Sequence, residues 1–230
     1  MQSNQRQIHN QIGPLHFSVR ADLYRIAAGF TTREAWVLEH YPALAGVALE
    51  PSGAGGVILS ACNGLLALVV RDKGGRASRS AVMSRPEHGL RDAARARSVA
   101  SAGFAARLVF DDGDCVIDIQ PDQDISLSEI AGPCPDFRAR LPVEAVKRGV
   151  DLPAHAAERV AIAARQLADA AGGADETVNA RFCCYHDGGD GLIVVRFAAW
   201  PDAFALIAPD GGEGAAAPAT WRPPLWLTTR

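Results

Sequence analysis

Residues 46–70 read GVALEPSGAGGVILSACNGLLALVV and hold three apolar runs separated by two turn signals. The runs at 44–50, 57–62 and 65–71 are short, rich in Val, Ile and Leu, and predict three strands. Pro51-Ser52-Gly53 breaks the first pair. Asn63-Gly64 joins the second, and is the strongest short hairpin signal in the chain. Neighbouring strands joined by tight turns predict an antiparallel sheet.

Outward from this stretch the pattern repeats. Upstream, residues 1–14 are polar and read as a flexible arm. A short alternating strand follows at 15–19. Then Leu23, Ile26, Ala27 and Phe30 fall at i, i+3, i+4 and i+7, the apolar face of a helix, with Arg20 and Arg25 off that face. Downstream, 77–84 predicts a strand and Pro86 opens a second helix carrying Arg91, Arg95 and Arg97. Strands follow at 104–110, 115–120 and 124–129, with a turn at Asp111-Asp112-Gly113. Pro153 opens a third helix with Ala156, Val160, Ala163, Ala164 and Leu167 on one face, ended by Gly172-Gly173. Strands follow again at 177–185, 192–197 and 203–208. Helix starts near positions 20, 86 and 153 are almost evenly spaced, and each helix precedes three strands. That is a repeat of elements, without visible repetition of residues. The predicted class is α+β, with mostly antiparallel sheets.

Composition excludes several classes. The chain has 230 residues, 48% hydrophobic and 21% charged, which suits a packed globular protein and not a disordered one. Net charge is −3, so contact with nucleic acid would need a local basic surface. The five cysteines, Cys62, Cys115, Cys134, Cys183 and Cys184, show no zinc-ligand spacing and read as reduced thiols. The N-terminus has no signal-peptide core and no run approaches a membrane span, so a cytoplasmic protein is expected. From 210 the chain is rich in Gly, Ala and Pro, and then reaches Trp221, Leu225, Trp226 and Leu227. This tail is either a docking motif or a disordered end.

Three stretches resemble the bacterial DNA sliding clamp, the β subunit of DNA polymerase III. Ala61-Cys62-Asn63-Gly64-Leu65-Leu66-Ala67-Leu68 is similar to the clamp's A-T-D-G-H-R-L-A turn. GPCPDFRARLP at 132–142 resembles the clamp's G-x-F-P-D-Y-x-x-x-x-P segment: Pro135, Asp136, Arg138, Leu141 and Pro142 match, and Phe137 replaces the tyrosine. LIVVRFAAWPDAFALIAP at 192–209 resembles a clamp's final two strands. The likeness covers roughly 17–209 and implies a shortened, divergent clamp with about three helix-plus-strand units. It implies a flexible arm at 1–14, a two-unit domain at 15–142, a one-unit half domain at 143–209 and a flexible tail at 210–230.

The resemblance also implies sites. A pocket for a partner's apolar peptide would be lined by Gly64, Leu65, Leu66, Pro135, Arg138, Arg140, Leu206, Ile207, Ala208 and Pro209. Leu65 and Leu66 stand where the clamp has histidine and arginine, which makes this pocket greasier. The alternative is that Leu65 and 206–208 are core strand residues. A second implied site is a basic helix surface of Arg20, Arg25, Arg91, Arg95, Arg97, Arg159 and Arg165 that touches duplex DNA phosphates without reading sequence. The alternative is a solvated helix face.

Catalytic patterns are weak. Cys184 and His186 share a strand face but lack further ligands. Asp111, Asp112 and Asp114 lie in a hairpin turn and lack a calcium loop's later glutamate. Gly53-Ala54-Gly55-Gly56 lacks the lysine of a phosphate loop. The reading is therefore a non-enzymatic replication or repair protein with no cofactor. It would tether a DNA polymerase or other partner, touch DNA, and self-associate through strand edges. The alternative is a peptide-binding adaptor or clamp-like regulator that does not bind DNA. A more distant one is an enzyme using Cys184 and His186.

Overall fold

The computed structural model describes residues 13–86, 106–111, 113–118, 120–132, 141, 145–147, 152–172, 182–186, 192–208 and 220–221. The chain begins with β1 (His16–Arg20), α1 (Ala21–Ala28), α2 (Ala35–His40) and a 3-10 turn (Pro42–Ala45). The strands β2 (Gly46–Pro51), β3 (Val57–Cys62), β4 (Leu66–Asp72), β5 (Arg76–Ala77) and β6 (Ala81–Ser84) follow. Next come β7 (Arg107–Asp111), β8 (Asp114–Ile117), β9 (Gln120–Asp124) and β10 (Ala145–Lys147). The chain continues through α3 (Ala154–Ala171), β11 (Phe182–His186), β12 (Ile193–Phe197), β13 (Ala203–Ile207) and β14 (Thr220–Trp221).

The described residues form two antiparallel sheets. The larger runs β14-β10-β11-β12-β13-β4-β3-β2-β6 and the smaller β5-β1-β7-β8-β9. The expected hairpin forms, with Cys62 opposite Ala67. Its turn is shifted by one residue from the expected centre. Gly64, at φ 98°, and Leu65 are the central pair, and Asn63 flanks them. The Asn63 Oδ1 accepts the N–H of Leu65 (3.1 Å) and of Leu66 (2.8 Å), an Asx closure that ties the turn to its own side chain.

The expected strand at 77–84 is broken in two. Ser78 turns away to accept from and donate to the β1 end, its N–H bonding His16 O at 2.9 Å and its hydroxyl Pro14 O at 3.1 Å. β5 therefore joins the small sheet and β6 the large one. The strand expected at 124–129 does not form: β9 occupies Gln120–Asp124 instead, and beyond it Glu129 makes an isolated bridge to Met83. α2 and β10 were not anticipated. α2 buries only Val37, so it has no apolar stripe to read. Within the stretch read as linker and tail, Thr220 and Trp221 pair with Val146 and Ala145.

α1 and α3 lie on one face of the large sheet. α1 buries Ala21, Leu23, Tyr24, Ile26, Ala27 and Ala28 and packs on β2, β3, β4 and α3. α3 buries the small face anticipated for it, Ala156, Val160, Ala163, Ala164 and Leu167, which lets the two helices approach closely. Gly172 ends α3 at φ 79°, a left-handed cap that favours glycine. One core extends from Leu15 to Ile207. β13 pairs with β4 over five residues, Ala203↔Val70 to Ile207↔Leu66, so the sheet is continuous between the first and third repeated stretches.

The sheets are joined by a buried carboxylate. Asp72, at the end of β4 and 3% exposed, accepts the N–H of Arg20 (2.9 Å), the N–H of Gly74 (3.0 Å) and Nη2 of Arg107 (3.0 Å). Arg107 sits on β7 and also donates to Ser18 of β1. Phe17 and Phe110 stack across β1 and β7 with centroids 5.2 Å apart.

Candidate functional site: an apolar sheet face and an arginine-bearing helix layer

An antiparallel sheet packed on one side normally alternates apolar and polar residues. Here the central strands are apolar on both faces. Leu59, Leu68, Val70, Val195, Ala205 and Ile207 point to the helices. Their neighbours Ile58, Ala67, Val69, Val194, Phe204 and Leu206, with Tyr185, form a second cluster on the opposite face. Leu141, the one described residue of 133–144, packs against that cluster, as do Cys62, Cys183 and Leu192.

The residues expected to line a pocket divide along this alternation. Leu206 lies in the outer cluster, whereas Leu66 and Ile207 are fully buried on the helix side, because period-two alternation turns them inward. They form the floor of the sheet and cannot line an outer pocket. Leu65 is 55% exposed at the hairpin tip beside Gly64. Its carbonyl accepts the N–H of Ala208 at 2.8 Å, so the tip and the end of β13 are held side by side. Pro135, Arg138, Arg140 and Pro209 lie outside the described residues.

The arginines also divide. Arg20 is committed within the fold: it pairs with Asp22, donates to Ala170 O at 2.7 Å and covers the Trp200 ring at 4.8 Å. It does not offer a free cation to DNA. Arg25 is half-buried, and its Nε is enclosed without a hydrogen-bond partner. Arg159 and Arg165 are exposed on α3, and Arg159 donates to Gly29 O at 3.1 Å. Arg91, Arg95 and Arg97 lie outside the described residues.

Neither a protein-family model nor a curated protein matches the sequence. Solved structures do match. The DNA polymerase sliding clamp from Bacillus subtilis aligns over 86% of this chain and 64% of its own, at 10% identity and a TM-score of 0.51. A Eubacterium rectale protein assigned as DNA polymerase III beta subunit aligns over 86% and 66%, at 8% identity and a TM-score of 0.50. This chain has the sliding-clamp fold. It spans about two thirds of the length of the clamps it matches.

Burial pushes the Cys184 thiol up to about 11, helped by Cys183, which is opposite to the activation a nucleophile needs. Among the described residues no group of His, Cys, Asp or Glu could hold a metal ion. Asp111 and Asp114 face each other across the β7–β8 turn, and Asp111 pairs with His16. Among the described residues no helix is long and apolar enough to cross a membrane.

Proposed function

We propose that this chain works as a sliding-clamp-like protein of DNA replication or repair, not as an enzyme. It tethers a DNA polymerase or another partner by binding a short apolar peptide, and it touches duplex DNA through the arginines of its helix layer. The observation that carries this reading is Leu65, 55% exposed at the β3–β4 tip and held beside the end of β13 by its carbonyl on the Ala208 N–H, next to the buried second apolar cluster of the large sheet. Leu65 and Ala208 stand at its rim and Leu206 within it. An exposed apolar tip with backbone groups beside it is a feature that short-peptide recognition uses. The clamp fold supports the DNA contact, with Arg25, Arg159 and Arg165 on helices and Arg91, Arg95 and Arg97 as further candidates.

The test is a titration of fluorescein-labelled octapeptides, each with two apolar anchors, against the full chain. A subset is expected to bind, and Leu65→Asp to weaken it by about tenfold while thermal unfolding stays unchanged. Equal binding of every peptide by both forms would contradict the pocket. The second reading, an adaptor or regulator that does not bind DNA, is favoured by the net charge of −3 and by the internal commitment of Arg20.

A further inference from the structure

After β13 the chain crosses to the far end of the large sheet and pairs there. β13 ends at Ile207, and β14, Thr220–Trp221, lies antiparallel to β10. The register fixes where it lands. Thr220 is paired with Val146, Val146 with His186, His186 with Ile193 and Ile193 with Ile207. Ile207 and Thr220 therefore lie in one row across the sheet, separated by β12, β11 and β10. At about 4.8 Å between neighbouring strands, that row measures about 19 Å. The connection 208–219 has a reach of about 40 Å, roughly twice what the crossing needs. A short connection does not force β14 onto β10; the pairing itself holds it there.

The two ends of the large sheet are covered differently. At β6 the 128–130 segment is bound by Ser84 N–H on Ser128 O and Ile130 N–H on Val82 O, each at 2.8 Å. Both oxygens of Glu129 add hydrogen bonds from Arg79, at 2.6 and 2.7 Å. At β10 the cover is two residues of backbone pairing, Ala145↔Trp221 and Val146↔Thr220. Among the described residues β14 pairs with β10 alone, and β10 with β14 and β11. A strand this short blunts an edge, because it offers little for another chain to pair with. It also holds few hydrogen bonds, so a longer strand can displace it. Without β14, the N–H and C=O groups on that side of β10 are open to a new partner.

We propose that β14 is a releasable cap on β10: in the free chain it closes this edge of the large sheet, and its departure opens the edge to a strand of a second copy. The small sheet ends in β5 and β9, so one copy carries both an edge that receives a strand and edges that offer one. This rests on the clamp reading above, in which copies join edge to edge, and adds a control on when they join. The cap keeps the free chain from pairing at β10, and the slack in 208–219 lets β14 leave without moving β13.

The experiment is sedimentation velocity of the full chain over a concentration series. The forms compared are wild type, Thr220→Pro/Trp221→Pro, and the control Thr228→Pro/Thr229→Pro. Proline has no N–H to give a ladder, so the first variant removes β14 and leaves the residues of β10 unchanged. It is expected to self-associate at least about tenfold more tightly than wild type, since a cap closed about nine-tenths of the time masks the edge by that factor. The control should match wild type. Amide hydrogen exchange within Ala145–Lys147, read at a dilution where every form is monomeric, should be faster in the first variant. If the prolines lower the thermal unfolding midpoint, Thr220→Gly/Trp221→Gly is compared in their place. Equal self-association and equal exchange in all forms overturn the cap while leaving edge-to-edge assembly intact. No self-association in any form overturns both the cap and that assembly. Weaker self-association in the first variant means that the tail joins copies, and overturns the cap.

Discussion

Asp72 shows how one side chain can hold two sheets together. Its carboxylate sits almost fully out of water and is made tolerable by two backbone N–H groups and Arg107. Asp72→Ala leaves Arg107 facing an empty acceptor and frees the start of α1. It should cost about 3 kcal/mol in urea unfolding, and Asp72→Asn less. A loss no larger than that of an exposed control such as Glu39→Ala would show that the sheets hold without it. Cys115 carries a pH prediction. Burial pushes its thiol from 9.0 up to about 12, so the folded state keeps a proton that the unfolded state releases. Stability from this group is therefore full below about pH 9 and falls as pH rises toward 12. Tyr24, raised well above 10.0 by burial and then by Cys115, adds to the same alkaline loss. Cys115→Ala should flatten the decline between pH 9 and pH 10, read as unfolding midpoints across that range. An unchanged slope would assign the decline elsewhere.

Among the elements, the β3–β4 hairpin is the most informative. Gly64 has open space where a side chain would go but sits at φ 98°, so a substitution meets strain and no clash. Gly64→Ala should cost about 1–2 kcal/mol and loosen the tip that presents Leu65, weakening peptide binding through position and not through contact. Equal stability and equal peptide affinity would show that the turn does not set the site. The same hairpin shows why much of the fold could be read in advance. Its strands are short apolar runs, its turn is local, and the faces of α1 and α3 follow from residue spacing alone. What failed was non-local. The split at Ser78 depends on β1, and the assignment of β6 to the large sheet depends on β2. α2 exposes Trp36 and so lacks a stripe. The site was half legible for a related reason. A run such as Leu206-Ile207 shows that both residues are apolar, but which one faces outward is decided by register against Leu66 and Ala67.

At the scale of the molecule, the four edges of the two sheets matter. β6 is shielded by the 128–130 segment, through Ser84 N–H to Ser128 O and Ile130 N–H to Val82 O, each at 2.8 Å. β5 and β9 end the small sheet and β14 ends the large one. An edge that another chain can extend is a route to self-association, and the proposed clamp reading would have copies join edge to edge. β13 pairs with β4 and one core holds described residues from Leu15 to Ile207, so variants should keep that span whole. The most direct measurement is retention of the full chain on closed circular duplex DNA by gel filtration, before and after the circle is cut once. The account predicts that protein loaded on the circle co-elutes with it and is released by the cut. Equal retention on circular and linear DNA, or none on either, would contradict a clamp-like hold on DNA.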